Sequence, residues 1–269
     1  MKHLVVGPGA MTYFAFLGAL AALRDSDELH NLEEISGASA GGLLAFFYIV
    51  AEGNIQNILQ YSLNIPLKDI MKINLRLFVK DFGLVNHSKI RQVLVDTVQM
   101  YFGKEDVTFQ ELYEFRPNMP KLHISAYCVS LGRTEYFSRD TAPNMSVIDA
   151  LCMTIAVPFL FSSVEWNGRR YIDGGTLEET PSGPFVGKDD VFVLKMAYNE
   201  HTTYDTTNLK SYINSFLTIT MKMRHKYNFP AVSLDMSAYD IFNFAVPTET
   251  KLKLFSLGYH STKKRGVIQ

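Results

Sequence analysis

The stretch Ile35–Phe47, ISGASAGGLLAFF, decides how this chain of 269 residues is read, because it sets a serine between glycines where a β-forming run meets an apolar one. Upstream, LEEIS (Leu32–Ser36) reads as a strand. Downstream, Ala40 to Glu52 reads as a buried helix closed by Gly53-Asn54. Gly37-Ala38-Ser39-Ala40-Gly41 therefore fits G-x-S-x-G at a strand-to-helix turn. The spacing has a steric reason: a nucleophilic serine at such a turn needs a strained backbone, and side chains two residues to either side would collide with their neighbours. Roughly one chain in ten of this length holds the pattern by chance, so its position between strand and helix is what makes Ser39 a candidate nucleophile rather than corner filling.

The same order occurs just before it. HLVV (His3–Val6) reads as a buried strand and YFAFLGALAALRD (Tyr13–Asp25) as a buried helix, with GPGAMT (Gly7–Thr12) between them. Strand, helix, strand, helix with short links predicts a parallel sheet covered by helices. A glycine-rich loop opening a helix can aim amides at a developing oxyanion. Pro8 has no N–H, so the donors fall to Gly9, Ala10 and Met11. The motif argues against nucleotide binding, because G-x-G-x-x-G fails at Thr12 and no G-K-[ST] follows.

Further along, Asn54 to Asn118 is mostly helical in pattern, and Thr108 with Glu111 forms a capping box. KLHISAYCVSLGRTEYFS (Lys121–Ser138) reads as a hairpin turning at Gly132, SVIDALCMTIAVPFLF (Ser146–Phe161) as a helix stopped by Pro158, and SSVEWNGRRYID (Ser162–Asp173) as a hairpin turning at Asn167-Gly168. DVFVLKM is a further strand, and Asn208 to Lys264 reads as helices. No repeat or linker is visible, so one domain spanning 1–269 is expected, with its motifs in 4–181 and a helical C-terminal region over about 200–269.

Bulk properties narrow the classes. Hydrophobic residues make up 47% and charged ones 20%, and the formal net charge of −1 gives no global field for nucleic acid. Cys128 and Cys152 have neither metal nor disulfide spacing, which suits a reducing compartment, and no metal or other cofactor is expected. Gly7-Pro8-Gly9 splits the N-terminal apolar run, and Leu43 to Ala51 is too short to span a bilayer. No signal peptide or transmembrane helix is therefore expected, and a cytoplasmic location is.

RRYIDGG (Arg169–Gly175) places Asp173 past a strand end, either as an acid projecting into a cleft or as an ordinary Asp-Gly turn. His201, His225 and His260 follow it, none within a recognisable motif.

Three motifs in register, GPGAMTYFAFLGALAAL, GASAGG and AVPFLFSSVEWNGRRYIDGG, resemble those of patatin-like phospholipases. The likeness runs from about Leu4 to Pro181 and includes the central hairpin. It implies a three-layer α/β/α fold around a mostly parallel sheet. It also implies a Ser–Asp dyad, with Ser39 as nucleophile, Asp173 as proton acceptor, and Gly174 and Gly175 as motif glycines beside Gly37 and Gly41. The activity implied is hydrolysis of lipid or phospholipid acyl esters through an acyl-serine. This chain departs from the family loop in carrying Pro8 at one glycine, Met11 at the usual basic position and Thr12 at the final glycine. A carboxylate with an ordinary pKa near ~4 is a poor base, so the dyad requires a site that raises it. Alternatives are an acyltransferase or thioesterase on the same dyad, and a catalytically impaired lipid-binding protein.

LKDIMKINLRLFVKDFG (Leu67–Gly83) spaces Lys68, Lys72, Arg76 and Lys80 four apart. On one continuous helix they would form a basic face suited to peripheral contact with an anionic membrane or to a mobile lid.

Overall fold

The computed structural model describes residues 1–197, 207, 211–213, 215–216, 219 and 229–265. The first strands are β1 (His3–Val6), β2 (Glu34–Gly37) and the short β3 (Gly83–Val85). A hairpin follows, β4 (Lys121–Cys128) with β5 (Arg133–Phe137), then β6 (Phe159–Phe161). A second hairpin pairs β7 (Val164–Trp166) with β8 (Arg169–Asp173), and β9 (Val191–Ala197) and β10 (Ala231–Asp235) come last. The helices are α1 (Tyr13–Asp25), α2 (Ala40–Val50), α3 (Ile55–Asn64), α4 (Leu67–Ile70), α5 (Leu75–Asp81), α6 (Ser88–Phe102), α7 (Phe109–Phe115), α8 (Val147–Thr154) and α9 (Thr248–Arg265).

The main sheet runs β10-β9-β1-β2-β4-β8-β7, with β5 also on β4. From β10 to β4 every neighbour is parallel, while β5, β7 and β8 run antiparallel to their partners. The result is a mixed α/β fold with a central, mostly parallel sheet flanked by helices. The chain leaves β1 toward β2 on one side and returns later to β9 on the other. That makes β1 a switch point, where crevices open beyond the carboxyl ends of the strands.

Helices α1 and α2 are buried nearly all round, as their uniformly apolar sequences require. Helix α9 lies directly on α1 because two glycines meet at the crossing. A Cβ on Gly18 would stand 1.9 Å from the Phe255 carbonyl oxygen, and one on Gly258 would stand 1.8 Å from that of Ala15. The Thr108–Glu111 capping box is present, and the Asn167-Gly168 turn has φ of 49° and 71°, as a type I′ turn needs.

Two expectations differ from the structure. The C-terminal region is not wholly helical: AVSLD forms β10, parallel to β9, with Val232 and Leu234 buried between more exposed neighbours. That period of two is a strand signal, masked by the aromatic-rich sequence around it. The basic stretch is also not one helix. Asn74 caps a new helix by accepting the Arg76 amide proton, so Lys68 belongs to α4, Lys72 to the link, and Arg76 and Lys80 to α5. Only the last two share a helical face.

Candidate active site

Ser39 stands two residues beyond β2 and caps α2 with φ 53° and ψ −124°, a conformation non-glycine residues rarely adopt. The glycines around it are there for space. A Cβ on Gly41 would lie 2.2 Å from the Val6 carbonyl oxygen, and one on Gly37 would lie 2.5 Å from the Gly41 backbone. Removing both side chains lets α2 start against the end of β1, so its N-terminal dipole faces the Ser39 hydroxyl. The Ser39 amide donates to Thr154 Oγ1 at 2.9 Å, and the Thr154 hydroxyl donates to the Ser125 carbonyl at 2.6 Å. Thr154 thus ties the turn to β4, a role that nothing in its own sequence context signals.

Asp173 reaches the same rim from the opposite direction. Strand β4 continues past the last residue of β2, and antiparallel β8 descends along that extension to pair Asp173 with Ala126. The carboxylate is fully buried. Its Oδ1 accepts the Gly175 amide proton at 2.7 Å, while Oδ2 is buried without a hydrogen-bond partner. Burial pushes the Asp173 pKa up to about 7, against smaller opposing effects of the Ser39 hydroxyl and the Gly175 amide. The hydroxyl and carboxylate therefore sense each other, although no bond of full hydrogen-bond geometry joins them.

The Gly7–Thr12 loop closes against this corner. A Cβ on Gly175 would stand 2.2 Å from Pro8 Cβ, which seats the loop on the Asp173 turn. Ala10 has φ 45°, a second strained residue at the site. The expected amide donors do not behave alike. The Met11 N–H donates to the Ile241 carbonyl at 3.0 Å and is committed there. Gly9 and Ala10 donate to no acceptor among the described residues, nor does Ala40, which follows Ser39 and was not singled out from the sequence.

A cavity of about 110 Å³ lies beside Ser39. Apart from Ser39 and the buried hydroxyls of Tyr13 and Ser62, its lining side chains are apolar and none is charged. Ala40, Leu43 and Phe47 carry one wall along α2, and Ile65, Ile70 and Phe161 come from other elements. His87 stacks on Phe161 with centroids 5.5 Å apart, and burial holds its pKa down to about 4, so its ring is neutral. His260 is exposed on α9, while His201 and His225 lie outside the described residues. Among the described residues no three His, Cys, Asp or Glu side chains form a metal donor set.

The surface next to this cavity is unusual. Ile73, Leu75, Phe78, Val79 and Phe82 are all exposed, Val79 at 83%, and Phe159 lies against Phe78 with ring centroids 6.4 Å apart. Lys68, Lys72, Arg76 and Lys80 are exposed around them and make no ion pair among the described residues. No described helix is long and apolar enough to cross a membrane.

Comparison with known proteins places this geometry in context. A family model described as patatin-like phospholipase matches residues 4–186. An uncharacterised protein of Acanthamoeba polyphaga mimivirus is 26% identical over 232 residues, covering 80% of this chain and 72% of that protein. A probable lipid hydrolase of Invertebrate iridescent virus 6 is 24% identical over 188 residues, covering 67% of this chain and 61% of that one. In fold, the chain is similar to VipD from Legionella pneumophila, with a TM-score of 0.63 at 14% identity, covering 98% of this chain and 66% of that one. It is also similar to human GIVD cytosolic phospholipase A2 bound to methyl γ-linolenyl fluorophosphonate, with a TM-score of 0.59 at 10% identity, covering 100% of this chain and 58% of that one. The chain thus spans 58–72% of the length of these four proteins.

Proposed function

Because this chain belongs to the patatin-like phospholipase family, we propose that it is a serine lipid acyl hydrolase working through a Ser39–Asp173 dyad. The observation that carries the reading is the Asp173 carboxyl. It is buried beside the Ser39 hydroxyl with one oxygen unpaired and a pKa of about 7, so it is a far better base than an ordinary aspartate. Ser39 Oγ attacks the ester carbonyl while its proton passes to Asp173 Oδ2. The uncommitted amides of Gly9 and Ala10, with the N-terminus of α2, hold the oxyanion. Collapse expels the alcohol, which takes the proton back from Asp173. Water then attacks the acyl-serine with Asp173 again as base, and the fatty acid leaves. The apolar cavity receives the acyl chain, and the absence of charge along its walls favours hydrocarbon over a head group. The test is hydrolysis of a phospholipid and glyceride panel by the purified protein beside Ser39→Ala. Fatty-acid release by the parent and none by the variant is expected, and equal release by both would overturn the reading.

The exposed apolar and basic surface of the α4–α5 segment supports a second element, peripheral contact with an anionic lipid surface. Leu67, Ile70 and Met71 line the cavity and lead directly into that surface, so a membrane resting there would present acyl chains to the cavity mouth. Leu75→Asp with Val79→Asp is expected to reduce binding to phosphatidylserine vesicles far more than hydrolysis of a short soluble ester. Equal loss of both would contradict it.

A further inference from the structure

The hydroxyls of Tyr13 and Ser62 meet at 2.7 Å within the apolar cavity. Tyr13 is the first residue of α1, immediately after the Gly7–Thr12 loop, and Ser62 stands near the end of α3. Both are buried, Ser62 with 2% of its surface exposed. Two hydroxyls carry two hydrogens, and the bond between them uses only one. Among the described residues the second finds no acceptor; Ser62 does not even bond back to the carbonyl one turn earlier, as Thr97 does to Val93. Burial drives the Tyr13 pKa well above the ordinary phenol value, so its proton stays in place. A buried donor left over in a hydrocarbon-lined cavity is costly unless something that enters the cavity accepts from it.

Its neighbours along the cavity point to what that something is. The Tyr13 ring meets Phe47 edge-on with centroids 6.4 Å apart. Phe47 lies eight residues along α2 from Ser39, a rise of roughly 12 Å. At ~1.3 Å of advance per carbon, that rise spans roughly nine carbons of an extended chain, and the Tyr13 ring beside Phe47 sets the hydroxyl pair along the chain rather than at the ester.

We propose that the Tyr13–Ser62 hydroxyl pair is a specificity subsite for acyl chains bearing an oxygen at mid-chain, as a hydroxyl, keto or epoxide group. The proposal rests on the cavity's being the acyl site, as argued above. An unsubstituted chain filling the apolar cavity leaves the spare hydroxyl unpaired, whereas an oxygenated chain satisfies it and has its own oxygen satisfied in turn.

The experiment compares kcat/KM for phosphatidylcholines that carry stearoyl or 9-hydroxystearoyl at the same position, in the parent and in Tyr13→Phe/Ser62→Ala. The double variant removes both hydroxyls and no carbon, and using the ratio cancels any loss common to both substrates. The parent is expected to favour the 9-hydroxy chain by roughly threefold to tenfold, the worth of one neutral hydrogen bond. The double variant is expected to reverse that preference, because the substrate hydroxyl must then be buried unpaired. A ratio near one in the parent, or one unchanged in the variant, overturns the proposal. Should the variant not fold, the parent alone decides: its preference must fade when the hydroxyl moves to carbon 2 or carbon 17, and a preference indifferent to position overturns the subsite. If no ester of either kind is cleaved, the hydrolase reading fails instead. Displacement of a fluorescent fatty acid by 9-hydroxystearic against stearic acid then still tests the subsite.

Discussion

Glu34 opens β2, and Ser39, with Asp173 beside it, lies just beyond the other end of the same four-residue strand. Two buried carboxylates thus sit at opposite rims of one sheet, in opposite electrostatic settings. Burial pushes Glu34 upward, but hydrogen bonds from His123, Lys188 and Lys121 more than reverse it and hold the carboxyl well below the usual range. His123 Nε2 stands 2.7 Å away, Lys121 Nζ 3.1 Å and His3 Nδ1 3.6 Å. His3 and Lys121 flank Glu34 in register on β1 and β4, so the cluster clamps three strands. Asp173 is buried without a cationic partner, and its pKa rises to about 7. Burial alone does not decide what a carboxylate does; its partners do. A paired one serves the fold, and an unpaired one keeps a proton affinity useful for catalysis.

Removing each carboxylate's charge probes that contrast. The largest effect belongs to activity: Asp173→Asn keeps the shape and the acceptor for the Gly175 amide but deletes the base, with an expected loss of about a thousandfold in kcat/KM for a lipid ester. In stability the two sites are expected to move in opposite directions. The ionised Asp173 is a liability above its folded pKa. Between pH 4 and 7 the folded state holds a proton that the unfolded state has released, so stability falls as pH rises through that window. Asp173→Asn is therefore expected to stabilise the protein by up to about 4 kcal/mol at pH 8 in urea unfolding, a gain that shrinks toward zero near pH 4. Glu34→Gln breaks a buried charge cluster and is expected to destabilise by about 3 kcal/mol at pH 7. Because the Glu34 pKa is depressed on folding, its contribution is present above the ordinary carboxylate range and fades as pH falls below it. If both substitutions shifted stability the same way at pH 8, the comparison would fail. The smallest effect sharpens it: Thr154→Val removes the link from the Ser39 amide to Ser125 and should cost about 1–2 kcal/mol. Its kcat should fall more than its KM changes if the link holds the nucleophile in place.

The Ser39 turn was more legible in the sequence than the Glu34 rim because its constraints are local, whereas Asp173 read equally as an acid or an Asp-Gly turn until the family resemblance paired it with Ser39. Gly37, Gly41 and the strand-to-helix transition lie within a few residues of Ser39, and the Asp173 turn carries its own glycines. The hairpins were readable for the same reason, since Gly132 and Asn167-Gly168 mark their own turns. The Glu34 cluster draws on His3, Lys121, His123 and Lys188, which only strand pairing brings together. Thr154 and the Tyr13–Ser62 contact likewise leave no local signal, because each joins elements distant in sequence. The Met11 amide reads as free in the sequence because its acceptor, Ile241, lies more than two hundred residues away. The basic stretch reads as one helix because its periodicity carries across Asn74, whose side chain starts a helix afresh.

The central claim, that an unpaired buried Asp173 ionising near neutrality activates Ser39, is tested most directly by the pH dependence of Ser39 labelling by a fluorophosphonate in the free protein. The rate in the parent is predicted to climb with a midpoint near pH 7, and in Asp173→Asn to be slow with no such midpoint. Labelling at the parental rate in Asp173→Asn, or a parental midpoint near the ordinary aspartate pKa of about 4, would contradict it.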